Sequence, residues 1–105
     1  MKVLHLTLKK EWFDMILSGE KKEDYRELKS YWNARLNANT YEGFFKPKQF
    51  DVVELANGYS RDSRKIIIQF DYTTVREGLI KWGANAGEKY FVVRFGKILE
   101  TRNIK

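Results

Sequence analysis

Between residues 18 and 27 the chain reads SGEKKEDYRE, eight ionisable side chains in ten positions. Three of them have types that can cooperate. Lys21 is an ammonium whose pKa falls when it loses water, which suits a base or a nucleophile. Asp24 can hold a neighbouring cation in place. Arg26 presents a planar fork of donors that matches a phosphate or a carboxylate. In a regular strand, Lys22, Asp24 and Arg26 share one face, and Lys21, Glu23 and Tyr25 share the other. Lys21 therefore reaches the other two only if the chain turns or bulges just after Gly19, where glycine makes a turn cheap. Glu20, Lys22 and Glu23 read as solvated neighbours, since exposed charge pairs contribute about 0–1 kcal/mol.

The elements around this run must position it. Leu4, Leu6 and Leu8 alternate with Val3, His5 and Thr7, which predicts a first strand over 3–8 with one face in a core. Residues 9–18 follow helical spacing, with Trp12 and Ile16 on one stripe and Phe13 and Leu17 beside it. Gly19 stands where a helix C-terminal cap belongs. A short strand over about 21–26 then leads into a helix over 27–37, carried by Leu28, Tyr31, Trp32 and Leu36. The segment NANTYEGFFKPKQ is a loop with the only proline, Pro47, and with Phe44 and Phe45 to fasten it. Strands follow at 50–56, 65–75 and 90–99, the last with Phe91, Val93 and Phe95 inward. They are separated by the turn NGYSRDS and by a Gly-rich excursion around Trp82. Strands of this length would leave exposed edges in an open sheet. Closure into a small β-barrel with two flanking α-helices removes those edges. The expected class is α+β, in one domain spanning 1–105.

Composition narrows the function. The net charge is +6, which draws a small protein to polyanions, nucleic acid first among them. Aromatic residues make up 15% of the chain and serve equally as core filling and as stacking surfaces. Cysteine is absent and His5 is the single histidine, which excludes disulfides, thiolate metal sites and a multi-histidine zinc site. No pattern calls for a cofactor. The first residues lack a signal-peptide core and no apolar run reaches membrane-spanning length, so a cytoplasmic protein without a membrane partner is expected. Nothing in the pattern sets an oligomeric state.

Counted from Gly19, the charged run is Gly19-x-Lys21-x-x-Asp24-x-Arg26. This resembles the G-x-K-x-x-E-x-R signature of the ASCH domain family, part of the PUA-like superfamily, with Asp24 where Glu is usual. ANGY (56–59), KWGA (81–84) and VVRFGKILE (92–100) look like ASCH segments in the expected order. The resemblance implies a PUA-like barrel with a cleft at the motif, and an RNA ligand. Some small members hydrolyse the acetyl amide of N4-acetylcytidine, and another type cuts single-stranded RNA. In the hydrolases the motif lysine works with a threonine three residues on and a glutamate from a later segment. Here Asp24 occupies the threonine position. It donates no proton unless protonated, and it stabilises the Lys21 ammonium, weakening it as a base. Glu54 and Glu77 are the candidates for the distant glutamate, and each also reads as an exposed or edge carboxylate.

The expectation is a domain that binds RNA or a modified nucleoside or nucleotide in a basic cleft. Lys21, Asp24 and Arg26 would line it, with Tyr59, Arg61 and Trp82 adding rings and charge. Arg64 follows Arg61 behind the same loop tip, and Arg94 offers a second phosphate fork if it faces the cleft. The rival is a small hydrolase with Lys21 and Asp24 as candidate catalytic residues, either N4-acetylcytidine amidohydrolase-like or a ribonuclease in which Lys21 is the base and Arg26 stabilises the developing charge. A third reading is a protein-interaction module using the charged hairpin and the second helix. His5 is expected to be structural, Trp12 and Trp32 to be core, and Trp82 to plug the barrel.

Overall fold

The computed structural model describes residues 1–39 and 44–104, so part of the 37–49 loop lies outside the described residues. The elements are β1 (Val3–Thr7), α1 (Lys10–Leu17), β2 (Glu23–Arg26), α2 (Ser30–Leu36), β3 (Val52–Ala56), β4 (Lys65–Glu77), a short 3-10 turn (Ile80–Trp82) and β5 (Lys89–Arg102). All five strands form one sheet in the order β1-β3-β4-β5-β2. β1 runs parallel to β3, and the other pairs are antiparallel. The α+β class holds. No helix among the described residues is long and apolar enough to cross a membrane.

The expected barrel does not form. β1 and β2 are the sheet edges, with five and four residues, and no ladder joins them. Short edges already limit unwanted pairing, so closure is not needed to protect them. A side chain spans the gap instead: Arg26 Nη2 donates to the Thr7 carbonyl at 2.9 Å.

A main core joins most of the elements, and a smaller cluster of Ala84, Tyr90 and Val92 packs with Tyr25 on the other face of β5. The main core takes Leu4, Leu6 and Leu8 from the first strand and its exit, Phe13 and Ile16 from α1, and Leu36 from α2. Val53, Leu55, Ile66, Ile68, Phe91, Val93 and Phe95 complete it from the sheet. The inward faces of both terminal strands were thus legible, while β5 also buries Tyr90 and Val92 on its other face. Phe45 fastens its loop, with its ring centroid 5.4 Å from that of Phe91, whereas Phe44 is exposed. α2 starts at Ser30, three residues later than its periodicity suggests, after a non-helical lead-in that ends with Lys29 in extended conformation.

Glu23 corrects the reading of β2. Rather than solvated, it is 1% exposed. Antiparallel pairing sets it opposite Arg94 of β5, whose Nη1 donates to its Oε1 at 2.7 Å. From β4, Arg76 donates to both carboxylate oxygens, at 2.7 and 3.0 Å. Tyr25 donates to Oε2 at 2.6 Å, and its hydroxyl accepts from the Leu79 amide at 2.9 Å. Burial alone would raise the Glu23 pKa, but the donors from Arg76, Tyr25 and Arg94 outweigh it and hold the carboxyl at about 2. Burial, then the Glu23 carboxylate, pushes Tyr25 up to about 12. Arg94 is therefore a structural partner of Glu23 and not a free phosphate fork.

A carboxyl depressed in the folded state stabilises fully above its unfolded value of 4.5, and that stabilisation is lost as pH falls through about 2. Glu23→Gln should lower stability at pH 7 by roughly 2 kcal/mol, less than for a fully buried pair because both arginines are a third or more exposed. Urea unfolding as a function of pH should also show the variant losing less stability than the parent between pH 4.5 and 2. Equal acid limbs would refute this assignment.

Candidate functional site

The motif begins where α1 ends. Gly19 has φ +87°, and its amide donates to the Ile16 carbonyl at 3.0 Å. The chain folds back, so that the Lys21 amide reaches the Met15 carbonyl at 3.0 Å. Regular β structure begins only at Glu23. Lys21 thus escapes strand alternation and joins Asp24, as the turn at Gly19 allows.

The three motif residues form a chain of contacts. Lys21 Nζ donates to the Trp82 carbonyl at 2.8 Å and lies 3.9 Å from Asp24 Oδ1. It also sits 4.6 Å from the Trp12 ring centroid and 5.6 Å from that of Tyr25. Asp24 Oδ2 accepts from Arg26 Nε at 2.6 Å, and Arg26 continues to the Thr7 carbonyl. The 3-10 turn delivers the Trp82 carbonyl. Gly83, at φ +106°, follows it, and a side-chain carbon there would meet Trp12 at 3.0 Å. Lys21 and Asp24 are both buried, and the Lys21 side chain is 2% exposed. Burial lowers the Lys21 pKa, with Asp24 opposing the shift. The motif converges inward, and its polar groups satisfy one another.

The other expected site residues separate. Trp82 is buried, and its contribution to the motif is its carbonyl. Tyr59 is 95% exposed and Arg61 is exposed, both between β3 and β4. Arg64 is a strut: its Nη2 bonds Asn57 Oδ1 at 3.0 Å and pairs with Asp14 at 2.9 Å, over the Phe13 ring. Among the described residues, Asp24 is the one carboxylate in ion-pair distance of Lys21. Glu54 instead meets His5, and Glu77 is exposed at the end of β4.

A cavity of about 670 Å³ opens beside Arg26. β1 supplies His5 and Thr7, α2 and its lead-in supply Lys29, Tyr31, Trp32 and Arg35, and the β3–β4 loop supplies Tyr59. No motif residue lines it, but Arg26 braces its wall. The Arg26 guanidinium holds the Thr7 carbonyl and stacks on the Trp32 ring at 4.8 Å. Arg35 stacks at 4.8 Å on Tyr31, whose ring meets Trp32 edge-on at 4.9 Å. The lining carries cations and rings but no carboxylate. A second cavity, of about 770 Å³, has Glu27 and Glu88 beside Lys9 and Lys89, so it has no single sign of charge.

Sequence reasoning missed most of this wall. Trp32 read as core, Tyr31 only as a periodic position of the second helix, Lys29 and Arg35 went unremarked, and His5 read as structural. A signal was present: Lys29-x-Tyr31-Trp32-x-x-Arg35 places cations and rings at helical i, i+3 and i+4 spacing.

Comparison with family models, with curated proteins and with solved structures found no match for this chain.

Burial of Lys21 has a chemical consequence. Under native conditions, acetylation by an amine-reactive ester should modify Lys21 more than about tenfold more slowly than exposed Lys22, because access requires local opening. Peptide mass spectrometry reads both sites. Equal rates would mean that the motif opens freely to solutes.

Proposed function

We propose that this chain is a cytoplasmic ASCH-type, PUA-like domain that binds single-stranded RNA or a modified nucleoside at the cavity beside Arg26. One observation carries the reading: the cavity unites three aromatic rings and three basic side chains with no carboxylate in its lining. Rings stack bases at about 1–3 kcal/mol each, independent of sequence, and cations pair with phosphates. The net charge of +6 favours the same partner. Trp32 and Tyr31 form the fixed part of the platform, while exposed Tyr59 is free to cover a base from the opposite loop. In this reading Lys21 and Asp24 are scaffold, and Arg26 transmits their order to Trp32 and Thr7.

The amidohydrolase reading has less support. A lowered Lys21 pKa suits an amine catalyst. However, the amine is engaged with a main-chain carbonyl, it is shut away from solvent, and Asp24 stabilises its charged form.

Fluorescence anisotropy with a labelled single-stranded RNA tests the proposal. Affinity should fall steeply with salt, because phosphate contacts release counterions. Trp32→Ala should weaken binding by roughly tenfold, and Arg35→Ala should reduce the salt slope by about one phosphate contact. Salt-insensitive binding, or a Trp32→Ala variant with parental affinity, would overturn it.

A further inference from the structure

We propose that His5, in this cavity, and Glu54, just outside its lining, form a general-base dyad acting on the ribose 2′-hydroxyl of a bound RNA strand. The inference rests on the binding reading above. His5 and Glu54 are register partners in the parallel β1–β3 ladder. Their neighbours Leu4, Leu6, Val53 and Leu55 fill the core, so both side chains leave the opposite face. His5 Nδ1 lies 2.5 Å from Glu54 Oε2. A carboxylate only accepts, so Nδ1 is the donor, and in the neutral form of the ring Nε2 keeps a lone pair. Glu54 is itself held, with Arg102 Nη1 3.9 Å from its other oxygen. The Glu54 side chain is 19% exposed, whereas that of His5 is 66% exposed and lines the cavity. This is the arrangement of a base and its orienting group.

The surrounding charges suit a phosphodiester. Lys29 and Arg35 share the cavity with His5 and can meet charge developing on the non-bridging oxygens. RNA supplies its own nucleophile next to phosphorus. Nε2 takes the proton of the 2′-hydroxyl, and the 2′-oxygen bonds to phosphorus. The bond from phosphorus to O5′ breaks, and O5′ takes a proton from water. The products are a 2′,3′-cyclic phosphate and a 5′-hydroxyl, with no change in oxidation state. His5 is the catalytic residue and Glu54 a positioning residue.

The test compares a labelled single-stranded RNA with its fully 2′-O-methylated counterpart, which can bind but cannot react. Wild-type protein should bind both, cleave only the unmodified strand and leave cyclic-phosphate ends identifiable by mass spectrometry. His5→Ala should lose roughly 100-fold or more in kcat, far more than any loss in affinity for the methylated strand, and added imidazole should restore part of the activity. Glu54→Gln should lower kcat with KM unchanged, and Glu54→Asp should recover part of the loss. Binding of the methylated strand without cleavage of the other would overturn the dyad and leave the binding reading standing. Cleavage undiminished in His5→Ala would overturn the dyad as well. Failure to bind either strand would overturn both.

Discussion

A lysine ammonium taken out of water needs close partners, and the placement of Lys21 depends on finding them. Isolated burial of such an ion costs several kcal/mol even after relaxation. Here the Trp82 carbonyl, the Asp24 carboxylate and the faces of Trp12 and Tyr25 surround it. These partners come from α1, from β2 and from the turn ahead of β5. Meeting the needs of one ammonium therefore ties together segments far apart in the chain. Asp24 then serves a second cation, Arg26, which extends the order to the edge of β1.

β2 is only four residues long, yet charges from both of its faces are engaged. On one side Asp24 and Arg26 join the edge strands through a side chain where no ladder exists. On the other, Glu23 gathers Arg76 and Arg94 from β4 and β5, the two longest strands. A short edge strand contributes few backbone hydrogen bonds, so side-chain pairs carry much of its attachment. Removing one partner from either group would leave the remaining charges poorly solvated, which makes both groups sensitive to substitution.

This arrangement separates the motif charges from the exposed cavity wall. The motif charges are consumed internally, and the surface they support is made by other residues. Arg26 is the link, with its fork committed to Asp24 and Thr7 and its face stacked on Trp32. The result is a cavity wall whose rings are held from behind and whose cations are Lys29, paired with Glu27 at 3.6 Å, and Arg35, stacked on Tyr31. His5 belongs to the same wall through β1, and its carboxylate partner lies outside the lining.

The strands and helices were legible because apolar periodicity reports directly on which side of an element meets the core. Leu4, Leu6 and Leu8, the Phe91–Phe95 alternation, and Gly19 as a cap all follow from local geometry. The spacing of Lys21, Asp24 and Arg26 was legible too, as was the need for a turn after Gly19. Other features depended on contacts between distant segments. Glu23 looked like a solvated residue because its partners stand 53 and 71 positions away. The open sheet, the inward direction of the motif and the pairing of His5 with Glu54, 49 residues apart, have the same origin. Sequence spacing sets the direction of a side chain along its own element. Whether a charge meets water, a ligand or a counter-ion depends on which other element packs against that face, and only the tertiary structure decided that.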